Sequence, residues 1–502
     1  MLSLYLKINI KSAYLNKILF SLIIAGIILS TFQLLFSRSL WLDEVAIARN
    51  LMGKDFFQLF QPLDHGQVAP IGFLMTVKFI TSIFGYSEVP LRIFPFISYL
   101  ISIILIYFNT LKMTKGDKLI SLLSTSIFSL SITSIYYSSE LKQYSSDILF
   151  AMLILNSVLY YLDDTKSIKG ILYLTIVGVI SIFFSNISII ILFAYGLYLF
   201  YSECFNRKNF LFLIPLFFWI STFLFYYINF INGHPSTELM NEYWKNNFLT
   251  YNLFSEEFYL FLMRAFRDTY GSIFGFDDLK FIPFILIIFT ISMFGIYDYF
   301  KTQNKSIKRI LYFTLSPLII HLLLSGLQLY PYALRLILYL SPFLIILYAN
   351  GLKKIYDLIH KKNKYWKLIY LIPILITFLP IALKYPIKKE EIKPNIKFIE
   401  ANKTENETLY IYYAAQFAFE YYQNINYSNI TDNIIYGSLN RDDFQKYNKE
   451  LSQLSGKCYL LFYHDFKAER QYIINYLENN GSEILDTKME EGSYLYYIDT
   501  HK

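Results

Sequence analysis

Apolar residues in this chain form long unbroken runs, and polar residues collect in the gaps between them. FSLIIAGIILSTFQLLF (20–36) and FIPFILIIFTISMFGIY (281–297) are typical. Each approaches the ~20 residues that an α-helix needs to cross ~30 Å of hydrocarbon. The pattern predicts about eleven membrane-spanning helices. They lie near 18–36, 91–111, 119–137, 146–162, 170–185, 187–202, 210–231, 281–299, 310–328, 333–350 and 368–384. The run VAPIGFLMTVKFITSIFG (68–85) is apolar too, but Lys78 sits within it. As a span it would invert every later loop, so it is read as an interfacial helix on the outer leaflet. The first outer loop then runs from 37 to 90 and holds two such helices.

After Pro386 the pattern changes: Lys, Glu, Asn and Tyr dominate, and no apolar run of spanning length remains. TLYIYYAAQFAFEYY reads as a strand entering a helix and KCYLLFYH as a buried strand. ERQYIINYLENNG reads as a helix stopped by Gly, and SYLYYID as a closing strand. The chain therefore divides into a transmembrane domain (1–385) and a small α/β domain (386–502), the latter large enough for a core of its own. The tail shows no phosphate loop and no triad spacing, which favours a scaffold or acceptor-guiding role over an independent enzyme.

Charge orients this layout. Only 17% of residues are charged, where a soluble protein carries about a quarter. The basic ones gather at the N-terminus (Lys7, Lys11, Lys17) and in KMTKGDK, DDTKSIKG, FNRKN, KTQNKSIKR and KKIYDLIHKKNKYWK. These segments face the cytoplasm by the positive-inside rule. Segments 37–90, 138–145, 232–280 and 329–332 are less basic and face outward, and an odd span count puts the tail outside. A net charge of +7 with no basic patch on a soluble face excludes a nucleic-acid partner. Cys204 and Cys458 fall in different compartments, so no mutual disulfide is expected. No Cys/His cluster has zinc spacing. The first apolar run lacks a small-residue cleavage site and reads as an uncleaved span.

Charges near a membrane are costly, so those on the outer face are candidates for chemistry. Asp43 and Glu44 follow span one directly, beside Trp41, in WLDEVAIARN. Either could merely complement a helix N-terminus, which leaves the second acid unexplained. In YYSSELKQYSSDIL, Glu140, Tyr144 and Asp147 would project from one face if the segment is helical. Their bland reading is a solvated helix start. His65 in QPLDHGQVAP is a surface histidine at a turn. Arg92 and Arg335 lie at outer helix ends, where an arginine can snorkel or grip a phosphate. His321, inside span nine, reads as a packing residue. Together, carboxylates that can deprotonate a hydroxyl and guanidinium groups that can stabilise a leaving phosphate converge on one face of an apolar bundle.

At this point the residues resemble a family. WLDE with its helix, QVAPIGFL, and FGYSEVPLRIFPFI look like the first outer loop of the GT-C superfamily of glycosyltransferases. Protein O-mannosyltransferases, lipid A aminoarabinose transferases and lipopolysaccharide-core transferases have this architecture. SSELKQYSSDILF resembles the second outer loop, and YPYALRLILYLSPF a late phosphate-side helix. The resemblance covers 35–150 well and the remaining spans in pattern only. It implies a GT-C-like polytopic fold and an inverting transfer from a polyprenyl-phosphate sugar to a glycan, lipid or protein acceptor. It would make Asp43 the general base with Glu44 beside it, and Asp147 or Glu140 the second-loop acid. Arg335, Arg92, His65 and Tyr144 would bind the donor. Ala69-Pro70 replaces the Pro-Pro common in the family, and the lysine of the aminoarabinose enzyme is missing, so donor identity does not carry over.

The expected setting is the plasma (inner) membrane of a bacterium, in envelope glycan or glycolipid modification. The cofactor requirement stays open between none and a divalent cation. The rival readings are a lipid-linked glycan transporter, and a glycan polymerase or ligase of another fold. The sequons at Asn402, Asn406, Asn426 and Asn429 would matter only in a eukaryotic secretory route. One consequence is testable directly. An alkaline phosphatase fused after Lys502 should be active, and a reporter that works only in the cytoplasm should be silent there. The opposite pattern would overturn the topology.

Overall fold

The computed structural model describes residues 2–163, 167–359, 370, 372–425 and 427–501. Lys166 of the loop DDTKSIKG, most of the loop KKIYDLIHKKNKYWK, the start of the span expected at 368 and Asn426 lie outside them. The first span is α1 (Leu2–Leu35). The loop that follows contains α2 (Leu42–Gly53) and α3 (Ile71–Phe84). Next come α4 (Glu88–Met113), α5 (Lys118–Leu130), α6 (Ile132–Ser138) and α7 (Tyr144–Asp163). Then follow α8 (Ile168–Phe184), α9 (Ser188–Phe200) and α10 (Leu213–Tyr226). A second long loop holds α11 (Thr237–Trp244) and α12 (Glu256–Tyr270). The bundle closes with α13 (Ile282–Lys301), α14 (Lys305–Gly326), the short α15 (Leu334–Ile337), α16 (Ser341–Ile359) and α17 (Ile372–Lys384).

Every predicted span overlies a helix, but the count of eleven is not reached. Among the described residues eight helices are long and apolar enough to cross a membrane, or nine if α5 and α6, bent by 61°, are one span. The spans expected at 170–185 and 368–384 correspond to α8, of 17 residues, and α17, of 13. The segment at 68–85 forms only the 14 residues of α3, about 21 Å of helix at 1.5 Å per residue. That is too short for the ~30 Å of hydrocarbon. The protein is a multi-pass membrane protein, with apolar side chains such as Phe217, Ile176 and Leu375 turned outward from the bundle.

Local chemistry explains the breaks. Asp117 starts α5 by accepting from the backbone N–H of Leu119 and Ile120, both at 3.1 Å, which satisfies two of the orphan donors of a helix start. Ser131 separates α5 from α6 and turns its hydroxyl to Ile273 O at 2.8 Å. Deep in the bundle, α13 and α16 touch backbone to backbone. A Cβ on Gly351 would lie 1.8 Å from Ile291 O, and one on Gly295 would lie 2.0 Å from Leu347 O. Small residues at such a crossing are what allow helices to approach closely without a hydrophobic driving force.

The tail begins with α18 (Lys393–Asn402) and builds a five-stranded sheet. Its strands are β1 (Thr408–Ile411), β2 (Ile434–Tyr436), β3 (Lys457–Tyr463), β4 (Glu483–Glu490) and β5 (Ser493–Asp499), in the order β2-β1-β3-β5-β4. β1 runs parallel to β2 and β3, while β5 is antiparallel to β3 and β4. Three helices cover it: α19 (Tyr413–Asn424), α20 (Tyr447–Leu451) and α21 (Lys467–Asn479). Alternate residues of the strands serve opposite faces. Leu409, Ile411 and Leu461 pack in one core with Ala415 and Phe419 of α19, and Leu460 and Phe462 in another with Leu451, Ile473 and Leu477. Cys204 and Cys458 are free.

The Gly295–Gly351 crossing yields a stability test. Gly351→Leu drives a side chain into the α13 backbone and is expected to cost about 1–3 kcal/mol. The readout is the thermal midpoint of the detergent-solubilised protein, and a wild-type midpoint would show that the two backbones do not meet.

Candidate active site

The site forms where the tail domain, α2 and the turn between α6 and α7 meet, at the end of the bundle opposite the lysine-rich loops. It is organised around Glu44. This carboxylate is fully buried and lies between two fully buried guanidinium groups. Arg92 approaches side-on, with Nε 2.9 Å from Oε1 and Nη2 2.7 Å from Oε2. Arg38 Nη1 donates to Oε2 at 2.9 Å, and the Leu141 N–H donates to Oε1 at 2.7 Å. Burial alone would favour the neutral acid, but the Arg38 and Arg92 charges and these hydrogen bonds hold the carboxyl down at about 2.

This arrangement corrects two sequence expectations. Arg92 was expected on the donor phosphate. Instead it donates to Glu44 and to the carbonyls of Arg38 (2.9 Å) and Ser39 (3.2 Å). Glu44 was expected as a second catalytic acid. It is a pin that ties α2, α4 and the turn before α7 together, with no oxygen left for a substrate.

Its neighbour Asp43 has the opposite character. One residue earlier, about 100° around the helix axis, it points away from the pin, with its side chain 26% exposed. Its Oδ2 accepts from Arg335 Nη1 at 3.2 Å, and Lys142 Nζ lies 3.6 Å away. Arg335 stands at the start of α15, flanked by Tyr243 and Trp244 of α11. Its Nη2 donates to the Tyr243 hydroxyl at 3.1 Å, and its guanidinium lies 4.8 Å from the Trp244 ring centroid. Such a cradle fixes the plane of a guanidinium. Lys142 also donates to Gln67 Oε1 at 2.7 Å. Burial pushes its ammonium below the ordinary lysine value, against the pull of Asp43.

The remaining candidates separate. Glu140 was expected to share a helix face with Tyr144 and Asp147. The helix starts only at Tyr144, because residues 139–143 form an irregular turn. Glu140 points into the layer under Trp41, whose Nε1 donates to its Oε1 at 2.7 Å. Its Oε2 is buried without a partner, and burial raises its carboxyl above the ordinary range. Lys389, from the strap joining α17 to the tail, lies 3.0 Å over the Trp41 ring and 4.0 Å from Glu140. Asp147 faces inward and accepts from Ser185 Oγ at 2.6 Å. Tyr144 is buried beside Tyr137, ring to ring at 5.3 Å. His65 is not with Arg335: it packs edge-on against Phe417 of α19, 4.7 Å between centroids. His321 is buried between the Tyr339 hydroxyl and Pro331 O, each 3.0 Å away.

Sequence reasoning missed the tail domain's share. Glu391 Oε2 accepts from Ser39 N at 3.1 Å and from its hydroxyl at 3.0 Å. Glu390 Oε2 accepts from Leu42 N at 3.1 Å. Tyr463 donates to Leu40 O at 2.7 Å, while the Tyr422 hydroxyl accepts from Leu40 N at 2.9 Å and donates to Glu88 at 3.0 Å. Lys393 donates to Ser37 O at 2.6 Å. The strand leading to Asp43 is thus held by the bundle on one side and by the tail on the other. The only signal was KKEEIK (388–393), a charged string that reads as solvated linker.

Among the described residues no group of three or more His, Cys, Asp or Glu side chains is placed to hold a metal ion. Two cations, Arg335 and Lys142, already stand beside Asp43.

No family model matches the chain, and no curated protein matches it significantly. Solved structures do. ArnT from Cupriavidus metallidurans, in a crystal structure bound to undecaprenyl phosphate, aligns over 95% of this chain and 97% of its own at 10% identity, TM-score 0.51. The Archaeoglobus fulgidus oligosaccharyltransferase in its apo form aligns over 91% of this chain and 71% of its own at 11% identity, TM-score 0.52. The same archaeal enzyme tethered with an acceptor peptide aligns over 95% and 74% at 11% identity, TM-score 0.50. The chain has a GT-C fold. At these identities the GT-C likeness speaks for architecture, and chemistry is argued from the side chains.

The pin makes a prediction that separates the two adjacent acids. Glu44→Gln leaves two buried guanidinium groups facing a neutral amide and is expected to cost about 3–5 kcal/mol of stability. The measure is the thermal midpoint and the yield of folded protein. A fully stable Glu44→Gln protein would refute the structural role.

Proposed function

We propose that the protein is an inverting glycosyltransferase that moves a sugar from a polyprenyl-phosphate donor to a hydroxyl acceptor at the outer face of the plasma membrane. The observation that carries this reading is Asp43 facing Arg335 at 3.2 Å and Lys142 at 3.6 Å. It sets one partly exposed carboxylate against two cations at the end of an apolar bundle. The two relatives in fold support the donor class, one having been solved with undecaprenyl phosphate and the other being an oligosaccharyltransferase.

The chemistry follows from the residues. A lipid phosphate entering from the bilayer draws Arg335 and Lys142 toward its oxygens, because a planar guanidinium binds phosphate by two parallel hydrogen bonds. Asp43 then loses its cationic partners and becomes free to accept the proton of an acceptor hydroxyl. The acceptor oxygen attacks the anomeric carbon, the carbon–oxygen bond to phosphate breaks, and the polyprenyl phosphate leaves with its negative charge stabilised by Arg335 and Lys142. A single displacement inverts the anomeric centre. Glu44, Arg38 and Arg92 hold the backbone under Asp43, and a rigid support of this kind is what placement of a catalytic base requires. The acceptor is a glycan, lipid or protein hydroxyl of the cell envelope.

The test is transfer from a panel of undecaprenyl-phosphate monosaccharides by the protein in nanodiscs. Asp43→Asn keeps the shape but removes the base, and turnover should fall by about 10²–10⁴-fold with donor affinity near wild type. Arg335→Lys keeps the charge but loses the planar fork, and should raise the donor KM more than it lowers kcat. Near-wild-type turnover by Asp43→Asn, with Asp147→Asn or Glu140→Gln inactive, would place the base in the second outer loop.

A further inference from the structure

The sheet of the tail domain carries a feature that the membrane-side site does not use. After β1 the chain turns onto one face through α19 and returns to β2. After β3 it turns onto the other face through α21 and goes on to β4. The C-terminal ends of β1 and β3, neighbours in the sheet, therefore diverge to opposite faces. Such a switch point leaves a crevice at the carboxyl ends of the strands.

The crevice is lined by charged and aromatic side chains. Arg441 lies flat on the Phe466 ring, 3.6 Å from its centroid, and 5.3 Å from the Tyr413 ring. Phe466 is 49% exposed. Two buried carboxylates stand behind them. Glu469 receives the Tyr412 hydroxyl and lies 3.5 Å from Arg441 Nε. Asp465 lies 3.2 Å from Arg470 Nε. The Arg470 guanidinium covers the Tyr494 ring at 3.2 Å, with its Nη1 buried and unpartnered. Between this cluster and the catalytic loop stands His464. Its Nδ1 is 2.6 Å from Glu390 Oε1, and the other oxygen of Glu390 accepts the N–H of Leu42, the residue before Asp43. His464 is thus two hydrogen bonds from the backbone N–H of Leu42, the residue before the proposed base.

We propose that this crevice, built by Arg441, Phe466, Asp465, Glu469 and His464, binds the saccharide portion of the acceptor and directs one of its hydroxyls toward Asp43. The proposal rests on the transferase reading for its ligand class. A sugar presents an apolar C–H face, which suits an exposed aromatic ring, and a rim of hydroxyls that both donate and accept. Carboxylates accept and guanidinium groups donate, so alternating them matches such a rim. An extended peptide fits less well. β1 lies between β2 and β3, and β3 between β1 and β5. No free strand edge is therefore offered at the crevice for peptide pairing.

The experiment uses the full chain in nanodiscs with saturation-transfer NMR. The probes are methyl glycosides of glucose, galactose, mannose and N-acetylglucosamine, their disaccharides, and an unstructured peptide. At least one glycoside should bind wild type. Phe466→Ala and Arg441→Gln should each weaken that binding by about tenfold or more, through loss of a ring face or an ionic contact. Leu485→Ala, an exposed position at the opposite end of the sheet, should bind as wild type. Phe466 is exposed, so its removal leaves the fold intact and keeps the test clean. Absence of glycoside binding, binding indifferent to both substitutions, or capture of the peptide instead would overturn the proposal. Donor turnover is read on the same samples. Intact turnover without glycoside binding defeats the crevice alone. Glycoside binding that depends on Phe466, in a protein that turns over no donor, defeats the transferase reading and leaves the crevice standing.

Discussion

Two arginines and one glutamate, buried together at the surface of a membrane, are the contact on which the rest of this site depends. Arg38, Glu44 and Arg92 are fully buried. Removing Glu44 would strand two uncompensated guanidinium charges in a low-dielectric layer. Ion pairs of this kind are poor sources of net stability, since desolvation offsets much of their attraction. Their use is geometric. The triad fixes where α1 ends, how α2 enters and where the turn before α7 lies. Asp43, one residue before Glu44, inherits that fixed position while remaining partly open.

The tail domain completes the same clamp from the other side. Glu390 and Glu391 take the free N–H groups of Leu42 and Ser39, and Tyr422 and Tyr463 take both polar groups of Leu40. Buried backbone groups must find partners, and here the soluble domain supplies them. The tail is thus part of the support that holds the backbone leading to Asp43.

Much of this was legible in the sequence, and the failures have physical causes. The long apolar runs announced the bundle because lipid demands continuous apolar helices, and WLDE announced the loop after α1. The β1–α19 unit, β3, α21 and β5 were readable from periodicity. β4 was not: EILDTKME is an edge strand, and edge strands carry charges that block further pairing. The difference between Asp43 and Glu44 was equally hidden. It is decided by Arg92 and Leu141, which lie 48 and 97 residues away in the chain. Glu140 was misplaced because a helical spacing was assumed through an irregular turn. Lys389, Glu390 and Glu391 sit in a string that looks solvated, and only the folded chain shows that they are docked.

The central claim is that phosphate takes Arg335 from Asp43 and leaves the carboxylate facing the acceptor. The most direct measurement is a cryo-EM structure of Asp43→Asn in nanodiscs with an intact undecaprenyl-phosphate sugar. The account predicts a phosphate oxygen about 2.7–2.9 Å from the Arg335 guanidinium, the distance of a charge-assisted hydrogen bond, with the anomeric carbon toward residue 43. A phosphate bound elsewhere in the bundle, with Arg335 still against residue 43, would contradict it.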